Sequence, residues 1–435
     1  MLFRSTNSRD PQLSFKDVVF RCLPDDGGLY IPSRVRDLRE FFLHAEEGTN
    51  YPACVAEVTS ALLQGELNLF SAARVAESAA TFQPEIVPLD ETHSLLTLYN
   101  GPTGTFKDFG IAFLAAMLEE LLKNNGTALV LSTAQGDNGV SLEQSFHGRR
   151  GLVSVLLYPE GVITGLDTSQ FATNGGNIIP IQVRGTLDDC RRLVKETLND
   201  EPFSERYKVT SANGINIGRL LPQAFYYLYA FVKLKQKLSG NLYFSVPSGN
   251  FGNLVSGLYA WKFGLPVNGF IAAMNSNNAL GDFFRGGEFK PRLARATKSP
   301  ALDVSVPANY ARLRSFYDED PALMQDMVFP ASIDDDATLG AMELAWKRYG
   351  AILDPHGALA FAAALDFAAA SEHKKPHIVT LVTGHPAQEA ALVKKATGQE
   401  ICLPAKLELL TKEVSSIARI DPNISALESV IASCI

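Results

Sequence analysis

Cysteine is scarce in this 435-residue sequence, and the cysteines present form no metal-binding or redox pattern. The five residues are scattered without a CxxC pair, at Cys22, Cys54, Cys190, Cys402 and Cys434. An odd, dispersed set of cysteines is typical of free thiols in a reducing cytosol. We therefore expect no metal site.

Long apolar runs and a strong positive charge are also absent. No apolar span reaches 18 residues, and the first residues, MLFRSTNSRDPQLSF, lack the apolar run of a signal peptide. The net charge of −8 argues against nucleic acid as the main partner. These absences predict a cytoplasmic protein that binds neither membranes nor nucleic acid, and they leave open whether it is a monomer or a homodimer.

The chain changes character near residue 90. Before that point, YPACVAEVTSALLQGELN and NLFSAARVAESAATF carry apolar residues at helical spacing, which predicts a mainly helical N-terminal region over residues 1–90. After it, short β-rich runs alternate with helical segments: LLTLY, TALVLST, LVSVLLYP, GNIIPIQV, LYFSVP, GFIAAMN and HIVTLVTG. This alternation predicts an α/β fold with two interleaved parallel-sheet domains and helices on both faces. We place the domains at residues 91–225 and 226–435.

Four glycine-marked loops follow predicted strands: GPTGTFKD, STAQGDNGVS, VPSGNFGN and VTGHPA. In open α/β sheets, ligands bind outside the carboxyl ends of the strands. The first loop places Lys107 directly before the apolar helical segment FGIAFLAAMLEELL. This lysine either lays its stem along the protein surface or serves as a nucleophilic amine in a cleft.

The other loops offer a phosphate site and a hydroxyl. Gly249 and Gly252 allow backbone N–H groups to turn inward at a helix N-terminus, which suits a dianionic phosphate, although a plain strand-to-helix turn explains the loop equally well. Thr383 is either a capping hydroxyl or a partner for a ring nitrogen that need not be protonated. For His385 and His356 we favour structural roles.

Taken together, Lys107, the phosphate loop and Thr383 point to pyridoxal phosphate as the cofactor. The lysine amine forms an imine with it, the loop holds its phosphate, and the hydroxyl meets its pyridine nitrogen.

The segments GPTGTFKDFG, SVPSGNFGN, TSANGINIGRLLPQ and TGHPA resemble those of the threonine synthase family, and the likeness runs from DDGGLYIP to VTGHPAQEAAL. The resemblance implies the tryptophan-synthase-β fold (fold type II), with 91–225 as the smaller, substrate-side domain and 226–435 as the larger, cofactor-binding domain. It implies that Lys107 is the catalytic, Schiff-base lysine. The cofactor-binding residues it implies are Lys107, Asp137, Ser248, Gly249, Asn250, Phe251, Gly252, Asn253 and Thr383. The substrate-binding residues it implies are Gln135, Gly136, Asn138, Gly139 and Asn213.

The reaction implied by this resemblance converts O-phosphohomoserine and water into threonine and phosphate. It requires proton removal at Cα and Cβ, loss of the γ-phosphate and addition of water, with the lysine amine shuttling protons. Two alternatives stay open at this point. One is a lyase or replacement enzyme acting on another amino acid, and the other is a catalytically silent homologue that binds a ligand or a partner.

The substrate-side loops depart from the family pattern. The family's T-S-G-D-T-G reads AQGDNG over residues 134–139, so that Gln135 and Asn138 offer amide donors in place of hydroxyls. The family's R-G-K-I-S-P-L-Q-E is replaced here by residues that include Glu160, Val162, Gly165, Asp167 and Thr168, and Gly214 stands where a serine is usual. Losing two charge-assisted bonds of about 1.5–3 kcal/mol each would weaken phosphate binding on the order of a hundredfold or more, unless those cations lie on the rim. The candidates for replacement charge are Arg149, Arg150, Arg184 and Arg219.

Overall fold

A computed structural model describes residues 1–8, 11–123, 126–161, 176–238, 240–371, 376–405, 407–408 and 418–435. The strands are β1 (Leu2–Ser5), β2 (Leu13–Ser14), β3 (Tyr30–Pro32), β4 (Glu85–Pro88), β5 (His93–Thr97), β6 (Ala128–Thr133), β7 (Leu152–Pro159), β8 (Ile178–Val183), β9 (Val209–Thr210), β10 (Leu242–Pro247), β11 (Gly269–Met274), β12 (Val328–Ser332), β13 (His377–Val382) and β14 (Ala418–Ile420).

The helices are α1 (Phe15–Arg21), α2 (Arg39–His44), α3 (Tyr51–Leu62), α4 (Leu69–Ala79), α5 (Lys107–Leu122), α6 (Asp137–Phe146), α7 (Leu187–Asn199), α8 (Glu201–Tyr207), α9 (Ile217–Leu220), α10 (Ala224–Leu234), α11 (Gly252–Lys262), α12 (Gly281–Phe284), α13 (Tyr310–Glu319), α14 (Pro321–Met327), α15 (Asp335–Tyr349), α16 (Pro355–Ala370), α17 (Ala390–Thr397) and α18 (Ile424–Cys434). Short 3₁₀ turns occupy Leu221–Gln223, Pro300–Leu302 and Pro386–Glu389.

The N-terminal region is mainly helical, as predicted, and it also contains a small antiparallel sheet. The order of that sheet is β2-β1-β3, with Phe3 opposite Pro32 in the register. Its strands are two to four residues long, so they offer too few alternations of apolar and polar residues for the sequence pattern to reveal them.

Two larger sheets carry the rest of the fold. The first has the order β12-β11-β10-β13-β5-β4 and is parallel except for β4, which runs antiparallel to β5. The second has the order β14-β8-β7-β6-β9 and is parallel throughout. Each sheet takes strands from two separated parts of the chain. The predicted α/β class with interleaved parallel sheets is confirmed, and the domain boundaries near residues 91 and 226 stay predictions.

Helix α5 lies in the middle of the structure. Every residue from Asp108 to Leu118 is buried, as expected for a helix that is apolar on all sides. It packs against α4, α6 and α9. Gly110 permits the approach to α9, because a Cβ there would lie 2.3 Å from the Arg219 carbonyl oxygen.

The four predicted ligand loops all start at carboxyl ends of parallel strands. GPTGTFKD follows β5, AQGDNG follows β6, SGNFGN follows β10, and TGHPA follows β13. All five cysteines are free thiols, as predicted. Among the described residues, no helix combines the length and the apolar character needed to cross a membrane.

Arg312 is a fully buried guanidinium that joins three parts of the chain. Its Nε donates to the Tyr30 carbonyl at 3.0 Å, and its terminal nitrogens donate to the Ile215 carbonyl at 2.6 Å, to the Gly214 carbonyl at 3.3 Å and to Asn309 Oδ1 at 2.8 Å. Burial lowers the pKa of Arg312 to about 10, so the group stays charged at neutral pH. This side chain connects the N-terminal region to the loops of the larger α/β body.

We expect Arg312→Met to destabilise the protein strongly. The change removes the donor from several buried acceptors, each of which costs roughly 1–3 kcal/mol when it is left without a partner. Urea unfolding monitored by fluorescence measures this loss. The control is Arg314→Met on the same helix, where the side chain is 60% exposed. Equal urea midpoints for the two variants would contradict the structural role of Arg312.

Candidate active site

Backbone hydrogen bonds fix the lysine loop to the loop after β13. The Phe106 N–H donates to the Thr383 carbonyl at 3.0 Å, and the His385 N–H donates to the Gly104 carbonyl at 2.8 Å. Lys107, which begins α5, is therefore held next to Thr383 although the two are far apart in sequence.

Lys107 forms an ion pair with Asp137, and the pair joins helices that follow strands of the two larger sheets. Its Nζ lies 2.8 Å from each carboxylate oxygen of Asp137, the first residue of α6. The two side chains are 25% and 27% exposed, so the pair is partly accessible to solvent. Burial favours a higher pKa for Asp137, but the Lys107 ammonium and hydrogen bonds from Lys107 and Thr105 outweigh it, and the pKa is lowered. The carboxylate stays ionised beside the amine.

Asp108 is a buried carboxyl that sequence reasoning did not single out. Its oxygens accept hydrogen bonds from the Thr103 N–H at 2.9 Å, the Thr103 hydroxyl at 2.6 Å and the Ser141 hydroxyl at 2.6 Å. Burial raises its pKa, while these hydrogen bonds oppose the rise. Because Thr103 lies in the lysine loop and Ser141 lies on α6, Asp108 ties together the two elements that carry Lys107 and Asp137. Its position directly after the lysine is the only hint in the sequence.

The loop between β10 and α11 presents a row of backbone donors. The N–H groups of residues 249–254 have no acceptor among the described residues, as expected at a helix N-terminus. Phe251 adopts a left-handed conformation, with φ of 59°, and is 2% exposed. The 3₁₀ turn at Pro300–Leu302 packs so closely on Gly249 that a Cβ on this glycine would lie 2.8 Å from the Leu302 Cα.

Side chains of this loop are mostly committed to the protein. Asn250 accepts hydrogen bonds from the backbone N–H groups of residues 308 and 309 through its side-chain and main-chain oxygens. The Ser248 hydroxyl donates to the Val246 carbonyl at 2.8 Å.

Asn253 adds a buried donor to the loop. Tyr226 and Tyr227 both donate to its Oδ1, at 2.6 and 2.7 Å, while its Nδ2 is buried without a partner among the described residues. Unsatisfied backbone donors together with this amide fit a bound phosphate.

Thr383 stands at the end of β13 and is 8% exposed. Within the described ranges, its hydroxyl has no hydrogen-bond partner. His385 accepts from the Ala387 N–H at 3.1 Å and caps the turn that follows, in line with the structural role we favoured. A hydroxyl that is free to donate or accept fits a pyridine nitrogen.

Two of the expected substrate donors are bonded to the protein instead. Asn138 donates to the Thr133 carbonyl at 3.1 Å and accepts from Arg219 at 2.8 Å. The Asn213 amide, oriented to satisfy its neighbours, faces the Thr133 backbone at 3.1–3.2 Å. Gln135 is exposed, and its side chain therefore remains accessible at this end of the loop.

Gly136 and Gly139 in this loop are required for different structural reasons. Gly136 precedes α6 with φ of 51°, a conformation that favours glycine. Gly139 lies against Tyr158, whose hydroxyl would be 2.4 Å from a Cβ at that position. Both keep the first turn of α6 close to the cleft.

Of the four arginines proposed from the sequence, Arg219 contacts the site. Its guanidinium is buried, donates to the Ala212 carbonyl at 2.6 Å and to Asn138, and leaves its Nε without a partner in the described part of the chain. Burial lowers its pKa to about 10, against the opposing effect of Asp137 and Asp108. The others lie elsewhere: Arg149 pairs with Glu119, Arg184 pairs with Asp421, and Arg150 is exposed.

The remaining departures from the family pattern are only partly described. Glu160 forms an ion pair with Arg419 on β14, so its carboxylate has a counter-charge. The Gly214 carbonyl is held by Arg312. Val162, Gly165, Asp167 and Thr168 lie outside the described residues.

The chain is similar to known proteins over most of its length. Residues 2–75 match the family described as "Threonine synthase N terminus", and residues 96–384 match "Pyridoxal-phosphate dependent enzyme". Threonine synthase of Serratia marcescens is 34% identical over 414 residues, and that of Escherichia coli is 34% identical over 411 residues. Each alignment covers 94% of both chains.

Solved structures show the same relationship. The crystal structure of threonine synthase from Escherichia coli matches with a TM-score of 0.86 and 31% identity, covering 100% of both chains. The structure of threonine synthase from Brucella melitensis with bound pyridoxal phosphate matches with a TM-score of 0.87 and 28% identity, covering 100% of this chain and 99% of that one. The chain thus belongs to the threonine synthase family of pyridoxal-phosphate-dependent enzymes.

Proposed function

We propose that this protein is a threonine synthase, a lyase that uses pyridoxal phosphate to convert O-phosphohomoserine and water into threonine and phosphate. The observation that carries this proposal is that the GPTGTFKD loop contacts two of the other glycine-marked loops, while the fourth follows β10, the strand that pairs with β13. Lys107 lies next to Thr383 and pairs with Asp137 at 2.8 Å. Family membership supplies the substrate, and the cleft supplies groups suited to each part of the cofactor.

The groups available to hold the cofactor are distributed over three loops. The free N–H groups of residues 249–254 and the Asn253 amide suit its phosphate, and the Thr383 hydroxyl suits its ring nitrogen. Lys107 supplies the amine for covalent attachment. When bound, pyridoxal phosphate withdraws electrons from the substrate carbons, which makes the Cα and Cβ protons removable and allows the phosphate group to leave.

Lys107 is placed to move protons at the substrate. Once its amine is free, it can accept a proton from Cα or Cβ and return it, and α5 and its loop hold it in place while it does so. Asp137 lies at its side, with each carboxylate oxygen 2.8 Å from Nζ, so a negative charge adjoins the amine. In its unprotonated form Lys107 would hold the cofactor through a covalent bond.

Arg219 and the start of α6 suit the anionic substrate. Arg219 is a buried cation one hydrogen bond away from the loop over residues 134–139. At the start of α6, the Asp137 N–H has no acceptor among the described residues, whereas the Asn138 and Gly139 N–H groups donate to the Gln135 and Gly136 carbonyls. Gln135 offers an exposed amide. Because Arg419 neutralises Glu160, the carboxylate that replaces a family arginine opposes a bound phosphate less than the sequence suggests.

We also infer that the enzyme works in the cytoplasm as a monomer or a homodimer. Five free thiols suit a reducing compartment. Analytical ultracentrifugation of the purified protein separates the two assembly states.

Lys107→Ala is expected to abolish both the visible absorbance band of lysine-bound cofactor and the release of phosphate from O-phosphohomoserine. The reason is that Lys107 supplies the amine for covalent attachment of the cofactor. Absorbance spectra and a coupled phosphate assay with threonine detection measure the two effects. The control is Lys123→Ala at the other end of the same helix, where Lys123 pairs with Glu120.

The results for the unmodified enzyme discriminate among the alternatives. Bound cofactor without threonine formation would favour a lyase or replacement enzyme for another amino acid. The absence of cofactor binding would favour a silent homologue.

Arg219→Met is expected to raise KM for O-phosphohomoserine by roughly 10- to 100-fold, because a charge-assisted hydrogen bond contributes about 1.5–3 kcal/mol. Arg219→Lys keeps the charge but not the fork of donors, so its KM should lie between those of the unmodified enzyme and Arg219→Met. Steady-state kinetics with Arg150→Met as the control provides the test. An unchanged KM in Arg219→Met would remove Arg219 from the substrate site.

A further inference from the structure

His356 links the start of helix α16 to the turn behind the phosphate loop. Its Nδ1 lies 2.7 Å from Asp354 Oδ2, and its Nε2 accepts a hydrogen bond from the Ala301 N–H at 3.2 Å. Since the backbone N–H is a donor, Nε2 carries no proton, and the ring donates through Nδ1 to the carboxylate. The side chains of His356 and Asp354 are only 13% and 2% exposed.

The turn that His356 holds presses directly on the phosphate loop. A Cβ on Gly249 would lie 2.8 Å from the Leu302 Cα and 3.2 Å from the Ala301 carbonyl oxygen. At such a distance the loop cannot move further toward the turn, because any closer approach produces a backbone clash. The position of Pro300–Leu302 therefore limits the position of Gly249 on this side.

Asp354 also packs against the loop that carries Thr383. It caps α16 by accepting from the N–H groups of His356 at 3.1 Å and Gly357 at 3.0 Å. Its Oδ2 also lies 3.3 Å from where a Cβ on Gly384 would be, directly after Thr383. The strands before the two loops, β10 and β13, are hydrogen-bonded neighbours in the sheet.

We propose that Asp354 and His356 are positioning residues for the cofactor: they lock the phosphate loop at Gly249 to the strand end that carries Thr383. Neither side chain touches the reacting atoms. The carboxylate orients the imidazole, the imidazole holds the turn, and the turn holds the loop. This inference rests on the proposed function, since it concerns how that cofactor site is held.

The test compares His356→Leu, which lacks the acceptor, with His356→Gln, which keeps an acceptor near the position of Nε2. The phosphorus NMR resonance of the bound cofactor and its dissociation constant are measured on the full-length enzyme, well below the unfolding temperature. We expect His356→Leu to shift or broaden the resonance and to weaken cofactor binding roughly 2- to 10-fold, the worth of one hydrogen bond. His356→Gln should restore both, and the control His44→Leu, at an exposed histidine on α2, should change neither.

Asp354→Asn provides a second route that keeps the capping bond from the Gly357 N–H, because asparagine is also a good N-cap residue. When the asparagine oxygen accepts from the Gly357 N–H, its amide nitrogen faces His356 Nδ1. Because two donors cannot bond to each other, the imidazole proton moves to Nε2, where it faces the Ala301 N–H. This variant should change the phosphorus resonance in the same sense as His356→Leu, even if that variant does not fold.

The lysine-bound absorbance band separates this inference from the proposed function. The band should persist in all of these variants, because Lys107 is untouched. If the unmodified enzyme lacks the band, the proposed function fails. If the band is present, but His356→Leu and Asp354→Asn keep the native phosphorus resonance and cofactor affinity, the positioning role is overturned.

Discussion

The ion pair between Lys107 and Asp137 is the contact on which the rest of the site depends. Two opposite charges meet at 2.8 Å in a partly shielded cleft, where either charge alone would be costly to hold. The lysine begins a helix that follows a strand of the larger sheet, and the aspartate begins a helix that follows a strand of the smaller one. The pair therefore forms only when both sheets are folded and correctly placed. Chemistry at the lysine is in this way coupled to the assembly of the whole α/β body.

The loops around this pair are held from behind by buried polar groups. Asp108 ties the lysine loop to α6, Arg312 binds the carbonyls of residues 214 and 215, and the turn at residues 300–302 supports Gly249. Loop backbones leave N–H and C=O groups that secondary structure does not satisfy, and Asp108 and Arg312 also satisfy such groups. Loops held in this way can present donors to a ligand without first being ordered by it.

The charges near the proposed substrate-side loops have partners that the residue replacements in the sequence do not reveal. Glu160 looks unfavourable for an anionic substrate until its partner Arg419 is considered, since an ion pair has no net charge. Arg219 looks like one of several equivalent arginines until its bond to Asn138 places it beside the cleft. Counting charges along a loop is a poor guide to electrostatics, because partners come from distant segments.

The sequence by itself determined the α/β class, and it predicted the four glycine-marked loops and Lys107 as the site that we propose. These depend on local features: hydrophobic periodicity, glycine in tight turns, and a lysine before an apolar helix. Only the tertiary structure decided which groups surround Lys107, and it identified Asp108, Arg312 and His356 as supports. It also showed that the Asn138 and Asn213 amides bond to the protein. The physical reason is that hydrogen bonds and ion pairs depend on distances between residues remote in sequence, which no local pattern encodes.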